Sequence, residues 1–126
     1  RDHLGVMTAS AIPLSGATAT TVDFTLQGTS CYGTDARASL FGIQALWGGD
    51  VTHDGMVKYT GTGNDRDPVL VAIGGTVPTL TVAGYRAEDV GMDGVVKYTG
   101  TNNDRDPILL TIGGTVPTAV RHAQLP

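Results

Sequence analysis

Eight of the twelve acidic residues stand at equivalent places in two segments of the second half of the chain. They are Asp50, Asp54, Asp65 and Asp67 in the first segment, and Asp89, Asp93, Asp104 and Asp106 in the second. Carboxylates crowded onto a short loop repel one another, and a bound cation removes that cost. These residues therefore predict two cation sites of the same design.

The order of residues around the first acids indicates which cation fits. It is D-x-T-x-D-G from Asp50 and D-x-G-x-D-G from Asp89. An EF-hand loop reads D-x-[DN]-x-[DN]-G, with ligands at positions 1, 3 and 5 and at the carbonyl of position 7. Gly55 and Gly94 occupy position 6, where that loop turns sharply. Hard oxygen donors favour Ca²⁺ over zinc or copper, and Mg²⁺ fits less well because it demands tight octahedral geometry.

The acid that closes each site must stand later than in an EF-hand loop, because position 12 would be Gly61 or Gly100. The next acids lie in N-D-R-D-P segments at residues 64–68 and 103–107. Each segment precedes an apolar run ending in Gly-Gly, which predicts a short helix with the asparagine as N-cap. We expect the closing ligands to be Asp67 and Asp106, with Asp65 and Asp104 as the alternatives.

The two acidic segments belong to an internal repeat. Residues 50–79 and 89–118 are offset by 39 positions, and 23 of the 30 aligned residues are identical. Two units are too few for a solenoid. We expect them to pack face to face about a pseudo-twofold axis.

The chain divides near Gly48-Gly49, which predicts a β-rich segment at 1–48 and a tandem repeat at 49–126. Apolar runs or alternation at 4–9, 20–26 and 39–47 favour strands. Residues 37–47 fit a strand or a helix, and we favour a strand. Because the chain opens inside an expected strand, we interpret residues 1–48 as the end of a larger β domain in a longer protein.

The paired D-x-x-x-D-G loops, each followed by a short helix, resemble the duplicated calcium-binding units of dockerin modules over residues 50–118. The phrases V-K-Y-T-G, N-D-R-D-P and G-G-T-V-P-T, with H-L-G-V-M-T at residues 3–8, resemble tandem repeats near the C-terminal ends of large secreted or surface proteins of Bacteroidetes. This second resemblance covers nearly the whole chain. It implies an α+β fold with a small β-rich segment followed by two dockerin-like calcium loop–helix units.

The resemblance implies a ligand set for each site. In the first it comprises Asp50, Thr52, Asp54 and Asp67, with the Met56 carbonyl; in the second, Asp89, Asp93 and Asp106, with the Val95 carbonyl. The chain departs from the dockerin pattern by an insertion before the closing acid and by Gly91 at position 3. We therefore expect a weaker or wetter second site. The residues with which dockerins recognise cohesins are not identifiable, so cohesin binding is not carried over.

Composition narrows the possible functions. A net charge of −4 and a pI near 5.0 argue against nucleic acid as a partner. No apolar run in the sequence is long enough for a membrane span. Cys31, the single cysteine, cannot form an internal disulfide. Catalytic motifs are absent from the sequence, and acids committed to calcium are poor proton shuttles, so an enzyme is not expected.

We expect a non-catalytic calcium-binding module whose ions stabilise a secreted or surface protein. One alternative is a subunit of an extracellular fibre or surface assembly, in which copies join by β-strand addition. Another is an adhesion module that binds a carbohydrate or protein through Tyr59 and Tyr98, although these tyrosines also fit a packed strand between loop and helix.

Overall fold

The computed structural model describes residues 2–126. The chain is α+β, with short strands in two-stranded sheets and two short helices. It forms two compact units: residues 2–4 with Gly48–His122, and Gly5–Trp47 with Ala123–Pro126. The first is called the repeat unit and the second the hairpin unit. The division at Gly48 thus leaves residues 2–4 with the repeat unit and the last four residues with the hairpin unit.

The hairpin unit is built around two strands, β1 (Arg37–Leu40) and β2 (Ile43–Leu46), which pair antiparallel. The prediction of strand rather than helix for this segment is confirmed. The Arg37 guanidinium donates hydrogen bonds to the carbonyl oxygens of Phe24, Leu26 and Thr29, and so ties the preceding loop to the base of the hairpin.

The strands predicted at 4–9 and 20–26 do not form. Within the first run only Thr8 forms a bridge, to Cys31, and just before it His3 bridges to Gly48; neither contact extends into a ladder. In the second run, the Asp23 carboxylate accepts hydrogen bonds from the N–H and hydroxyl of Thr25. This side-chain turn bends the chain where a strand would have to be extended.

The repeat unit contains three elements for each repeat, in the same order, and the third of them lies just beyond the end of the repeat, at the same offset of 39 residues. The first repeat supplies β3 (Met56–Lys58), α1 (Arg66–Ala72) and β4 (Thr81–Ala83). The second supplies β5 (Val95–Lys97), α2 (Arg105–Thr111) and β6 (Val120–His122). The predicted helices and the strands before them are confirmed.

Each repeat completes the other. Strand β4 pairs with β5, and β6 pairs with β3, so the last strand of each repeat lies beside the first strand of its neighbour. The Thr60 hydroxyl donates to the Pro117 carbonyl at 2.9 Å, and the equivalent Thr99 hydroxyl donates to Pro78 at 2.9 Å. These reciprocal contacts are what a pseudo-twofold arrangement predicts.

The core of the repeat unit follows the same symmetry. Helix α1 packs against β5 and helix α2 against β3. The fully buried residues come as equivalent pairs, Val57 with Val96 and Val69 with Ile108. Residues 2–4 add to this core because Leu4 is buried and the Asp2 carbonyl accepts N–H groups of Gly49 and Asp50 at 2.8 Å. The Asp2 carbonyl therefore fixes the backbone at the start of the first acidic loop.

Candidate functional site

The first acid of each repeat shapes its own loop. In the first loop, Asp50 is buried and its two carboxylate oxygens accept the N–H groups of Asp54 at 3.1 Å and Gly55 at 3.0 Å. In the second loop, Asp89 accepts the N–H groups of Asp93 and Gly94 at the same distances. The loop backbone is thus wrapped around a carboxylate at position 1 in both copies.

Two residues in each loop adopt the left-handed backbone conformation. At position 6, Gly55 has φ 79° and Gly94 has φ 85°, which explains why both copies need glycine there. At position 4, His53 and Met92 have φ 57° and 54° without that freedom. Neither of these residue types signals a left-handed turn, so this second turn position could not be predicted from the sequence.

The second acid of each repeat, at position 5 of the loop, lies nearer the solvent. An Asp54 oxygen accepts the Met56 N–H at 2.9 Å, and Asp93 accepts the Val95 N–H at 3.0 Å. Lysines four residues later balance these acids: the Lys58 ammonium is 3.2 Å from Asp54, and that of Lys97 is 4.0 Å from Asp93. The spacing of four residues between acid and lysine is the sequence signal for these two ion pairs.

The buried acid before each helix joins the loop to the following strand. One Asp65 oxygen accepts the N–H and hydroxyl of Thr52 at 2.9 and 3.0 Å, and the other accepts the Lys58 N–H at 2.8 Å. Asp104 accepts the N–H groups of Gly91 at 2.8 Å and Lys97 at 2.7 Å. Thr52 supplies a hydroxyl that Gly91 lacks.

Burial sets the electrostatics of these two acids. Removal from water raises the pKa of the Asp65 carboxyl, and the neighbouring Asp50 raises it further. Burial likewise raises the pKa of Asp104, with smaller contributions in the same direction from Asp89 and Asp93. The hydrogen bonds oppose these effects without cancelling them. Each loop therefore carries a buried carboxylate whose negative charge is unfavourable.

Asp67 and Asp106 lie in a different environment from the loop acids. The Asn64 side chain accepts the Asp67 N–H at 3.0 Å and donates to the Asp67 carboxylate at 2.8 Å, so it engages the first turn of α1. The N-cap position is held by Asp65, one residue after the predicted Asn64. The Arg66 guanidinium is 3.5 Å from Asp67, whose side chain is 61% exposed. Asn103, Arg105 and Asp106 repeat the arrangement. The helix ends, rather than the loops, hold these two acids.

The donors present are all oxygens, which is the chemistry that Ca²⁺ requires. Hydrogen bonds join the Asp50 carboxylate to the Asp54 N–H, and the Asp65 carboxylate to the N–H and hydroxyl of Thr52. Within residues 2–126, however, no group of three or more His, Cys, Asp or Glu side chains is arranged to hold a metal ion.

The two repeated tyrosines pack against arginine. The Arg66 guanidinium lies 5.1 Å from the centre of the Tyr59 ring, and that of Arg105 lies 5.4 Å from the Tyr98 ring. These distances fit cation–π contacts. Each contact covers one face of a tyrosine ring.

No protein-family model, curated protein or solved structure matches the chain. In residues 2–126 there is no helix of the length and apolarity needed to cross a bilayer. A functional assignment therefore depends on the residues and geometry of the two loops.

Proposed function

We propose that the chain is a non-catalytic structural module of a secreted or surface protein, and that calcium bound by its two loops stabilises the repeat unit. One observation carries this proposal. In both repeats a buried aspartate, Asp65 or Asp104, is fixed against an acidic loop, with its pKa raised by burial. A divalent cation beside such a carboxylate would offset the cost of its charge.

The loop contacts suggest which residues would hold the ion. Asp65 and Asp104 are hydrogen-bonded to the loops, whereas the carboxylates of Asp67 and Asp106 are hydrogen-bonded to the asparagine near the start of each helix. This favours the alternative acids over the ones we expected to close the sites. The candidate ligands are then Asp50, Thr52, Asp54, the Met56 carbonyl and Asp65, and in the second repeat Asp89, Asp93, the Val95 carbonyl and Asp104.

A structural rather than catalytic role is supported by what the acids already do. Both oxygens of Asp50 and both oxygens of Asp65 accept backbone N–H groups. Acids used in this way fix the loop and are poorly placed to exchange protons with a substrate. A bound ion would keep them ionised and strengthen the same function.

The two sites should differ in affinity. Thr52 presents a hydroxyl 3.0 Å from Asp65, whereas Gly91 has no side chain at the same position. The second site lacks one protein oxygen and would take a water instead. We expect it to bind calcium more weakly than the first.

Isothermal titration calorimetry of the full chain tests the proposal. Calcium should bind at two sites, Asp54→Ala should remove the tighter one, and Asp93→Ala should remove the weaker one. Asp35→Ala, which changes an acid in the hairpin unit, is the matched control and should leave both sites intact. Absence of calcium binding, or binding that survives both loop substitutions together, would refute the proposal.

A further inference from the structure

A lysine ammonium contacts one acid of each proposed calcium loop. The Lys58 ammonium lies 3.2 Å from the Asp54 carboxylate, and the Lys97 ammonium lies 4.0 Å from that of Asp93. Both acids are candidate ligands at position 5 of their loops. The Lys58 side chain is only 17% exposed, so most of it is packed against the protein. Each loop therefore already holds a positive charge of the chain itself at a carboxylate that calcium would use.

The backbone fixes where each lysine side chain begins. Lys58 is the last residue of β3, its N–H donates to an Asp65 oxygen at 2.8 Å, and its carbonyl accepts the Asp65 N–H at 2.9 Å. Lys97, the last residue of β5, makes the same two contacts with Asp104 at 2.7 and 2.9 Å. Each lysine is thus anchored by the buried acid of its own loop, in the same way in both repeats.

The two ammonium groups differ in their surroundings at one position. A Cβ built on Gly63 would lie 3.6 Å from the Lys58 ammonium nitrogen, so only backbone stands at this place in the first repeat. Asn102 is the equivalent residue of the second repeat, where the lysine lies farther from its acid. The ion pair is therefore closer in the first loop, and its effect on a bound ion should be larger there.

We propose that Lys58 and Lys97 are internal competitors of calcium, an inference that rests on the proposed function. Each ammonium neutralises the position 5 carboxylate of its loop when no ion is bound. If the same carboxylate also binds a divalent ion, two cations share one negative group and repel each other. Tight calcium binding therefore requires the lysine to turn away from Asp54 or Asp93.

Such competition sets the calcium concentration at which the repeat unit is stabilised. Calcium-binding modules outside cells have dissociation constants of about 10⁻⁴–10⁻³ M, well above those of cytosolic calcium buffers. An ammonium that opposes binding moves the loops toward this weaker range, which suits a secreted or surface protein. The same ammonium reduces repulsion among the loop acids when calcium is absent. Its removal should therefore have opposite effects with and without calcium.

Isothermal titration calorimetry with calcium chloride tests the proposal at one site. In the Asp93→Ala background, which retains the first site alone, Lys58→Met should lower the dissociation constant about three- to tenfold, because it removes the charge and keeps the length of the side chain. Lys58→Arg keeps the charge and should not tighten binding. Lys97→Met in the same background changes the net charge equally, in the other loop, and should leave the affinity of the first site unchanged.

Thermal melting of the same proteins separates competition from packing. Lys58→Met should lower the melting temperature in chelator and should widen the difference between excess calcium and chelator. A lysine with only a packing role would lower the melting temperature by the same amount in both conditions, which would overturn the proposal. Lys58→Gln is the second variant should Lys58→Met fail to fold.

The possible results separate this inference from the proposed function on which it rests. Absence of calcium binding both in the parent chain and in the Asp93→Ala chain would overturn the two together. Calcium binding that Lys58→Met leaves unchanged, or that Lys97→Met tightens equally at the first site, would overturn the competition by lysine and leave calcium binding itself intact.

Discussion

Replacement of Asp65 by alanine measures how much the buried carboxylate contributes to the repeat unit. The change removes the acceptor of two backbone N–H groups, those of Thr52 and Lys58, and of the Thr52 hydroxyl. An unsatisfied buried donor costs about 1–3 kcal/mol, so the lost bonds amount to roughly 2–6 kcal/mol. Removing a buried charge offsets part of this cost. We expect the free energy of unfolding to fall by about 2–4 kcal/mol.

Asp67→Ala is the matched control because it changes the same residue type two positions along the chain. The Asp67 side chain is 61% exposed, and its contacts are with Asn64 and Arg66 at the helix end. Loss of such contacts should cost about 1 kcal/mol or less.

Urea unfolding of the two variants, in chelator and in excess calcium, separates the roles of these acids. In chelator, the Asp65 variant should be clearly the less stable of the two. Calcium should stabilise the Asp67 variant as much as it stabilises the parent chain. It should stabilise the Asp65 variant less, because the first site of that variant no longer binds the ion. Equal losses of stability in chelator would refute the assigned hydrogen-bond role, and calcium stabilisation lost only with Asp67 would restore Asp67 as the closing ligand.

Two further predictions concern pH and the hairpin unit. The folded pKa values of Asp65 and Asp104 are raised above 3.8, so in chelator these groups stabilise the fold most below pH 3.8. That contribution should disappear as pH rises through the folded pKa values, and in the Asp65→Asn/Asp104→Asn double variant it should be absent throughout. Arg37→Lys removes the planar guanidinium group, which donates hydrogen bonds to three carbonyl oxygens in residues 24–29. It should destabilise the hairpin unit by about 2 kcal/mol, read from the fluorescence of Trp47, and a loss below about 0.5 kcal/mol would contradict this.

Local signals predicted the helices and loops of the repeat unit well. Asn64 and Asn103 engage the first helical turns, because each side chain accepts the N–H of the second helical residue, although each N-cap lies one residue later than predicted. The left-handed turns at Gly55 and Gly94 likewise follow from residue type. Even a difference between the repeats is explained, since Gly63 and Asn102 both adopt positive φ, and both residue types tolerate it.

The exchange of strands between repeats could not be predicted from the same signals. Residues 81–83 read T-V-A and residues 120–122 read V-R-H, so no shared residue marks β4 and β6 as equivalent. Their pairing with the opposite repeat is decided by packing between distant parts of the chain. Strand pairing between distant parts of a chain depends on tertiary packing and is only weakly indicated by residue type.

Which of the two acids contacts the loop was also beyond sequence reasoning. Asp65 and Asp67 are separated by one residue and are chemically identical, so spacing alone allowed either to face the loop. Their environments differ because Asn64 engages Asp67 at the helix end, while Asp65 accepts N–H groups from Thr52 and Lys58. The distinction arises from the tertiary course of the loop.

Thermal melting of the full chain in excess calcium and in excess chelator tests the central claim most directly. At free calcium about 100 times the dissociation constant, one site adds roughly 2.7 kcal/mol, which corresponds to a shift of about 10–20 °C for a unit of this size. We expect at least that rise with calcium and a much smaller one with magnesium. The same melting temperature in calcium and chelator would contradict calcium binding as the function of the two loops.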